Sequence, residues 1–246
     1  MLGLLFAAGL WAGVQNALAG GGSFVTLPSL MLSGLDARAA NIASTLALFP
    51  GQATTGWFGR GLVSGAQGLS FRSLALISLV GGLIGAGVLL LTPSDVFGRM
   101  VPFLVLFATA LFAWGSFGPK RTGAGPRLDR RGAMAAQFAI SIYGGYFGGG
   151  IGFLMLAALT AAGLSVRPAG ATKNVLAAMM NAAAVAVFVF TPHAPWPRIV
   201  ILGAGAVLGG WLGAQLLRRA PERAIRIFVV VLGVALTVGL FWRAYR

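Results

Sequence analysis

The chain has 246 residues, 58% of them hydrophobic and only 9% charged, with 38 glycines. Soluble domains are about one quarter charged, so this composition excludes an ordinary soluble fold and reads as an all-α polytopic membrane protein. The net charge of +14 would point to nucleic acid in a soluble protein, but the basic residues fall in short breaks between apolar runs, as the positive-inside rule expects, and no nucleic-acid partner is expected.

With no Cys in the chain, disulfides, thiolate metal sites and cysteine nucleophiles are all removed. The single histidine, His193, falls between apolar segments. No metal, no cofactor and no enzymatic chemistry are expected.

In chain order, residues 3–19 form a first apolar segment. Ala17-Leu18-Ala19 resembles a leader cleavage site, but no Lys or Arg precedes Arg38, and the segment reads as retained. Gly20, Gly21 and Gly22 break it, and a short apolar segment follows at 23–33. Three longer helices are expected at about 38–58, 72–91 and 95–117. Residues 118–131 are polar, basic and rich in Gly and Pro, and read as a linker between a first membrane repeat (1–117) and a second (132–246), the two together making one transport domain. The second repeat runs through an apolar segment at 132–147, a break at Gly148, Gly149 and Gly150, a short segment at 151–163, and helices at 168–190, 197–217 and 222–243.

The two halves align with each other. Gly20-Gly-Gly-Ser-Phe24 corresponds to Gly148-Gly-Gly-Ile-Gly152, and Ser33-Gly-Leu-Asp-Ala-Arg38 to Ala162-Gly-Leu-Ser-Val-Arg167. Asn41-Ile-Ala-Ser-Thr45 then lies opposite Gly170-Ala-Thr-Lys-Asn174. The short segments, at about 1.5 Å per residue, are too short to cross a bilayer alone. Two arrangements are open. If each broken segment crosses once, the repeats are parallel and the basic residues divide evenly between the two sides. If each turns back, three helices per half cross, the halves are inverted, and Arg60, Arg72, the linker cluster, Arg167 and the Arg218, Arg219, Arg223 and Arg226 group collect on one side. The second agrees far better with the positive-inside rule, and inverted repeats with broken helices are common in secondary transporters. It puts the linker in the cytoplasm and both termini outside.

The four acids, Asp36, Asp95, Asp129 and Glu222, all fall in expected loops or at helix ends. A proton relay or Na⁺ site built on a buried carboxylate is therefore not expected. The polar residues inside the apolar regions are neutral or cationic. Asn41, Thr45, Leu48 and Gln52 share one helix face, which Thr55 extends. In the second half Lys173, Asn174, Ala177 and Asn181 occupy the equivalent helix. Stripes matched in both repeats read as two walls of a central pathway, against the alternative that they hydrogen-bond helices together. Lys173 with Thr172 and Asn174 beside it makes an anion site, against the alternative of a lysine snorkelling to the interface. The glycine triplets would aim the N-terminal N–H groups of short helices at the same centre. Gly81, Gly82, Gly85 and Gly87, and Gly209, Gly210 and Gly213, read as packing glycines. Trp196 and Trp242 read as interfacial anchors.

The run Ala39-Ala-Asn-Ile-Ala-Ser-Thr-Leu-Ala-Leu-Phe-Pro-Gly51 after an N-terminal Gly-Gly-Gly resembles the first repeat of the TauE/SafE family of sulfite and organosulfonate permeases. Tyr143-Gly-Gly-Tyr-Phe-Gly-Gly-Gly150, Ala171-Thr-Lys-Asn-Val-Leu-Ala-Ala178 and Asn181 are similar to its second repeat. The resemblance covers essentially the whole chain. Ser44 and Gly170 depart from the asparagines the pattern carries. It implies a multi-pass carrier of the bacterial inner membrane for a small sulfur-containing anion such as sulfite, thiosulfate or an organosulfonate. With the residues read above, the substrate site is expected to comprise Lys173, Asn174, Thr172, Asn41, Ser44, Thr45, Gln52, Asn181 and the two glycine triplets. The anion and the lipid bilayer are the expected partners. A passive anion channel and a non-transporting membrane scaffold are the alternative readings.

Overall fold

The computed structural model describes residues 1–18, 21–118, 128–216 and 222–245. Among these the chain is helical throughout: α1 (Leu2–Leu18), α2 (Ser23–Leu32), α3 (Ala37–Gly59), α4 (Phe71–Leu91), α5 (Ser94–Phe117), α6 (Arg130–Tyr146), α7 (Ile151–Ala161), α8 (Val166–Phe188), α9 (Trp196–Leu216) and α10 (Glu222–Tyr245), with one turn of 3₁₀ helix at Arg60–Leu62. Gly20 and most of the linker lie outside the described residues.

The few polar residues near helix ends set where helices begin. Asp36 accepts from the N–H groups of Arg38 and Ala39, Ser70 from Ser73, and Asp129 from Gly132, each satisfying donors a first turn leaves orphaned. Two of the four acids are thus helix caps. The short helices end alike: Leu35 N–H donates to Leu30 O and Leu164 N–H to Leu159 O, across left-handed Gly34 and Gly163.

Among the described residues five helices are long and apolar enough to cross a membrane: α4, α5, α8, and the stretches Trp196–Gly213 of α9 and Arg226–Tyr245 of α10. The sixth expected crossing, α3, is as long as its counterpart α8, at 23 residues each, but is not among the five. Arg38, Asn41, Gln52 and a run of Thr lower its apolar content, and it lies between α8 and α9 rather than facing outward along its length. Elsewhere the outward faces are apolar: Leu76, Leu83 and Leu91 on α4, Phe103 and Phe107 on α5, and Val231, Val234 and Val238 on α10 are all exposed. A surface of that kind is solvated by lipid tails. Phe24, Phe97, Phe112, Phe188 and Leu202 are buried inside.

Helix directions follow from specific contacts. Gln52 bonds Asn181 and Gly56 packs on Asn174, so α3 and α8 are antiparallel. Phe103 meets Phe241 and Tyr245 edge to face, and Tyr245 donates to Arg99 O, so α5 and α10 are antiparallel too. In contrast α1 runs parallel to α9, with Gly205 and Gly209 against the carbonyls of Phe6 and Leu10. Likewise α6 runs parallel to α4, with Gly81 against Ser141 and Gly85 against Ile142 O. Each such packing has a counterpart with the halves exchanged: α1 on α9 as α6 on α4, and α3 on α9 as α8 on α4.

The second broken segment folds back on itself. Leu128 N–H, just before α6, donates to Ala161 O at the end of α7 at 3.1 Å, so the chain leaves this hairpin at the level where it entered. Its turn uses left-handed Gly148 (φ 78°) and Gly150 (φ 76°), and the first break uses Gly21 (φ 83°), conformations in which a side chain is strained. Arg38 donates to the terminal carbonyls of α4 at Leu90 and Thr92, and the Thr172 hydroxyl pairs with the Ser64 backbone ahead of α4. These ties and the helix directions put Arg60, Arg72, Arg130, Arg131, Arg167 and Arg226 at one end of the bundle, and Arg38, Arg99, Arg198 and Arg243 at the other.

Among the glycines expected to serve packing, Gly81, Gly82, Gly85 and Gly209 sit where an added Cβ would strike a neighbouring helix. Gly87 has nothing within 4 Å and is not one of them. Gly210 faces a cavity instead.

Candidate functional site

The two glycine turns and the inner faces of α3 and α8 meet around a cavity of about 110 Å³. Gly21 and Ser23 border it from the first turn, Gly148 to Gly152 from the second apart from Gly149, Gln52 and Thr55 from α3, and Lys173 and Asn174 from α8. It is large enough for a few waters or one small polyatomic ion.

Its chemistry is rich in hydrogen-bond donors. Neither Lys173 Nζ nor the Asn174 side chain has a hydrogen-bond or ion-pair partner among the described residues. Gln52 receives the Asn181 amide on Oε1 at 2.5 Å, which leaves its own NH₂ free to point elsewhere. Asn16 accepts from Gly22 N–H at 2.7 Å and likewise keeps its NH₂. The first hydrogen bonds of α7 begin at Phe153, which donates to Gly150 O, and those of α2 at Phe24, which donates to Gly21 O. Among the described residues the N–H groups of Ile151, Gly152 and Ser23 therefore have no acceptor, and the positive ends of both helix dipoles add to them. Among the described residues no Asp, Glu or His lines the cavity, and no group of three potential ligands is placed to hold a metal ion.

Lys173 reaches this position because of Gly152. A Cβ built on Gly152 would lie 3.6 Å from Nζ, so the ammonium rests over the bare backbone of the first turn of α7. At the equivalent places in the first half stand Phe24, buried at 1% exposure, and Ser44, which bonds the Thr26 hydroxyl. The first half fills with an aromatic ring and a hydroxyl pair the space the second half gives to an amine.

The structure disperses the rest of the expected constellation. Asn41 donates to Tyr146 O at 3.0 Å, capping the end of α6. Thr45 bonds back to Asn41 O in its own helix, and Ser44 ties α3 to α2. Thr172 is spent on the Ser64 backbone. Asn181 touches the cavity only through Gln52. Gly22 caps α2 beside Asn16, and Gly149 O accepts from the Tyr143 hydroxyl at 2.9 Å. None of these seven lines the cavity, whereas Gly21, Gln52, Gly148, Gly150, Lys173 and Asn174 do. Gly20 lies outside the described residues. Asn16 and Gly13 on α1, with Ala206 and Gly210 on α9, line it without having been expected. One signal was present for Asn16: Gln15-Asn16 is the only amide pair in α1 and stands within four residues of a glycine break.

A family model described as sulfite exporter TauE/SafE matches residues 5–240. A probable membrane transporter protein of Sinorhizobium is 31% identical over 98% of this chain and 92% of its own length. A probable membrane transporter protein of Haemophilus influenzae is 29% identical over 98% and 95%, and the probable membrane transporter protein YfcA of Escherichia coli 27% over 100% and 91%.

Proposed function

This chain belongs to the sulfite exporter TauE/SafE family of membrane transporters, and from that premise we propose that it is a secondary carrier of a small sulfur-containing oxyanion, bound at the glycine-turn cavity and moved by alternating access. The observation that carries this reading is Lys173: an amine with no partner among the described residues, beside N–H donors of two helix ends, in a cavity whose described lining residues include no acid. An oxyanion such as sulfite, thiosulfate or an alkylsulfonate presents three or more acceptor atoms to those donors, and charge-assisted bonds are the strong ones. The helix directions suit two inverted repeats, whose exchange of roles gives a carrier its two access states.

The reading is tested with the purified protein. A thermal-shift screen of sulfite, thiosulfate, sulfoacetate, taurine and sulfate is expected to give a selective, saturable rise with one of the sulfur anions. A ligand at a hundred times its Kd stabilises by about 2.7 kcal/mol. In proteoliposomes the same anion is expected to show saturable counterflow. Flux that rises linearly without counterflow would mean a passive pore, and no shift with any of the anions would remove the anion site.

The basic end of the bundle is proposed to face the cytoplasm of a bacterial inner membrane. A native chain without Cys makes the check direct. Cysteines introduced at Gly123, in the linker, and at Tyr245 are expected to react with an impermeant thiol reagent from opposite sides, Tyr245→Cys from outside. Labelling of both from one side would overturn the arrangement.

A further inference from the structure

We propose that the anion enters this site together with a proton taken up by the Lys173 amine, so that the carrier moves anion and proton as a pair. The inference rests on the anion-site reading above and adds the coupling ion to it.

The cavity wall is contributed by α1, α3, α8, α9 and the turns leading into α2 and α7, and among the described residues that line it Lys173 is the one titratable side chain. The other ionisable groups on elements packed against α8 point away. Arg60 is exposed and stacks on Trp57 at 3.6 Å, while Arg72 and Arg167 are exposed at the basic end. The Tyr143 hydroxyl on α6 donates to Gly149 O, and the Tyr146 hydroxyl meets Met100. An ammonium here has no hydrogen-bond or ion-pair partner among the described residues to answer its charge, and an unpaired charge away from water is costly. A neutral amine needs no such partner. Lysine, unlike arginine, gives up its proton readily when withdrawn from water.

When the anion arrives the balance reverses, because the ion supplies the missing charge at contact distance. The step is a simple addition: the amine lone pair on Nζ takes a proton from water on the side that is open, the resulting ammonium pairs with the anion, and no bond to the anion is made. Release on the other side returns both. The pair is neutral for a monoanion, which lowers the cost of carrying it through the middle of the bundle. By linkage, an anion that binds the protonated site alone must promote proton binding by the same factor with which the proton promotes its own.

The test uses the wild-type protein in detergent, with thiosulfate or methanesulfonate as probe. Both are anions of strong acids, so any proton taken up belongs to the protein. Titration in weakly buffered solution is expected to show uptake approaching one proton per anion bound. Over the same pH range the affinity is expected to fall about tenfold per unit as pH rises, and to level off at lower pH, where the site is already protonated. K173R, whose guanidinium keeps its charge, is expected to show no uptake. Binding without proton uptake at any pH from mildly acidic to alkaline would overturn the coupling and leave the anion site standing. Uptake that persists in K173R would overturn its assignment to Lys173. Absence of binding by either anion in the wild type, at every pH, would remove the anion site and the coupling with it.

Discussion

Lys173→Ala is expected to abolish anion binding without lowering the stability of the ligand-free protein. The two halves of that expectation come from one geometry. Nζ lies over Gly152 with no partner among the described residues, so truncating it removes no ion pair and no hydrogen bond from the fold. The thermal transition without ligand should stay where it is or rise. Binding is another matter, because among the described residues that line the cavity the lysine alone can supply a charge. Losing one member of a desolvated charge pair costs about 2–5 kcal/mol, or roughly 30-fold to a few thousand-fold in Kd at 1.4 kcal/mol per factor of ten. Isothermal titration on wild type and variant, with melting curves on both, reads the two quantities separately. Unchanged affinity in the variant would refute the site. A collapse of the ligand-free melting temperature would show the lysine to be structural.

Gly209→Val is expected to have the largest effect on the fold itself. A Cβ at Gly209 runs into the Leu10 carbonyl, and one at neighbouring Gly205 into the Phe6 carbonyl. These obstacles are main chain, which cannot rotate aside as a side chain would. Parallel α1 and α9 would have to separate along their shared face, losing the close approach that small residues permit in membrane bundles. Overpacking in a rigid site costs about 1–3 kcal/mol and more where nothing yields, and valine adds two further methyl groups. Loss of the monodisperse species, or a large drop in melting temperature in detergent, is the expected result. Gly87→Ala is the matched control: with nothing within 4 Å of its added Cβ, it should stay within about 0.5 kcal/mol of wild type. Equal behaviour of the two variants would show that the α1–α9 contact does not govern stability.

Much of this was legible in the sequence, for reasons that can be named. Apolar runs bounded by Gly, Pro and capping residues put the helix ends within two or three residues of where they lie, because those residues act locally on the backbone. The distribution of the arginines favoured a turn-back at the glycine triplets, and the second broken segment folds back on itself, with Leu128 N–H on Ala161 O. The polar stripe on α3 was a true face, but a face does not fix depth. Asn41 lies eleven residues before Gln52, about 16 Å along the helix, and meets the end of α6 instead of the cavity. Periodicity also cannot tell a side chain offered to a ligand from one turned to the backbone, as Thr45 and Thr172 are. Asn16, Gly13, Ala206 and Gly210 reach the cavity through the α1–α9 pairing, which joins residues some two hundred positions apart and leaves no local trace.

That pairing also constrains the order in which the molecule is made. The face of α1 that carries Gly9 and Gly13 fits only the backbone of α9, and α9 emerges from the ribosome when four fifths of the chain already exists. Until then α1 has the helix it packs on unmade. The second half has no such delay, since α6 meets an α4 that was synthesised before it. Assembly is therefore lopsided in time although its product is balanced in space: the hairpin that presents Gly152 to Lys173 can form early, and the wall supplied by Asn16 closes last.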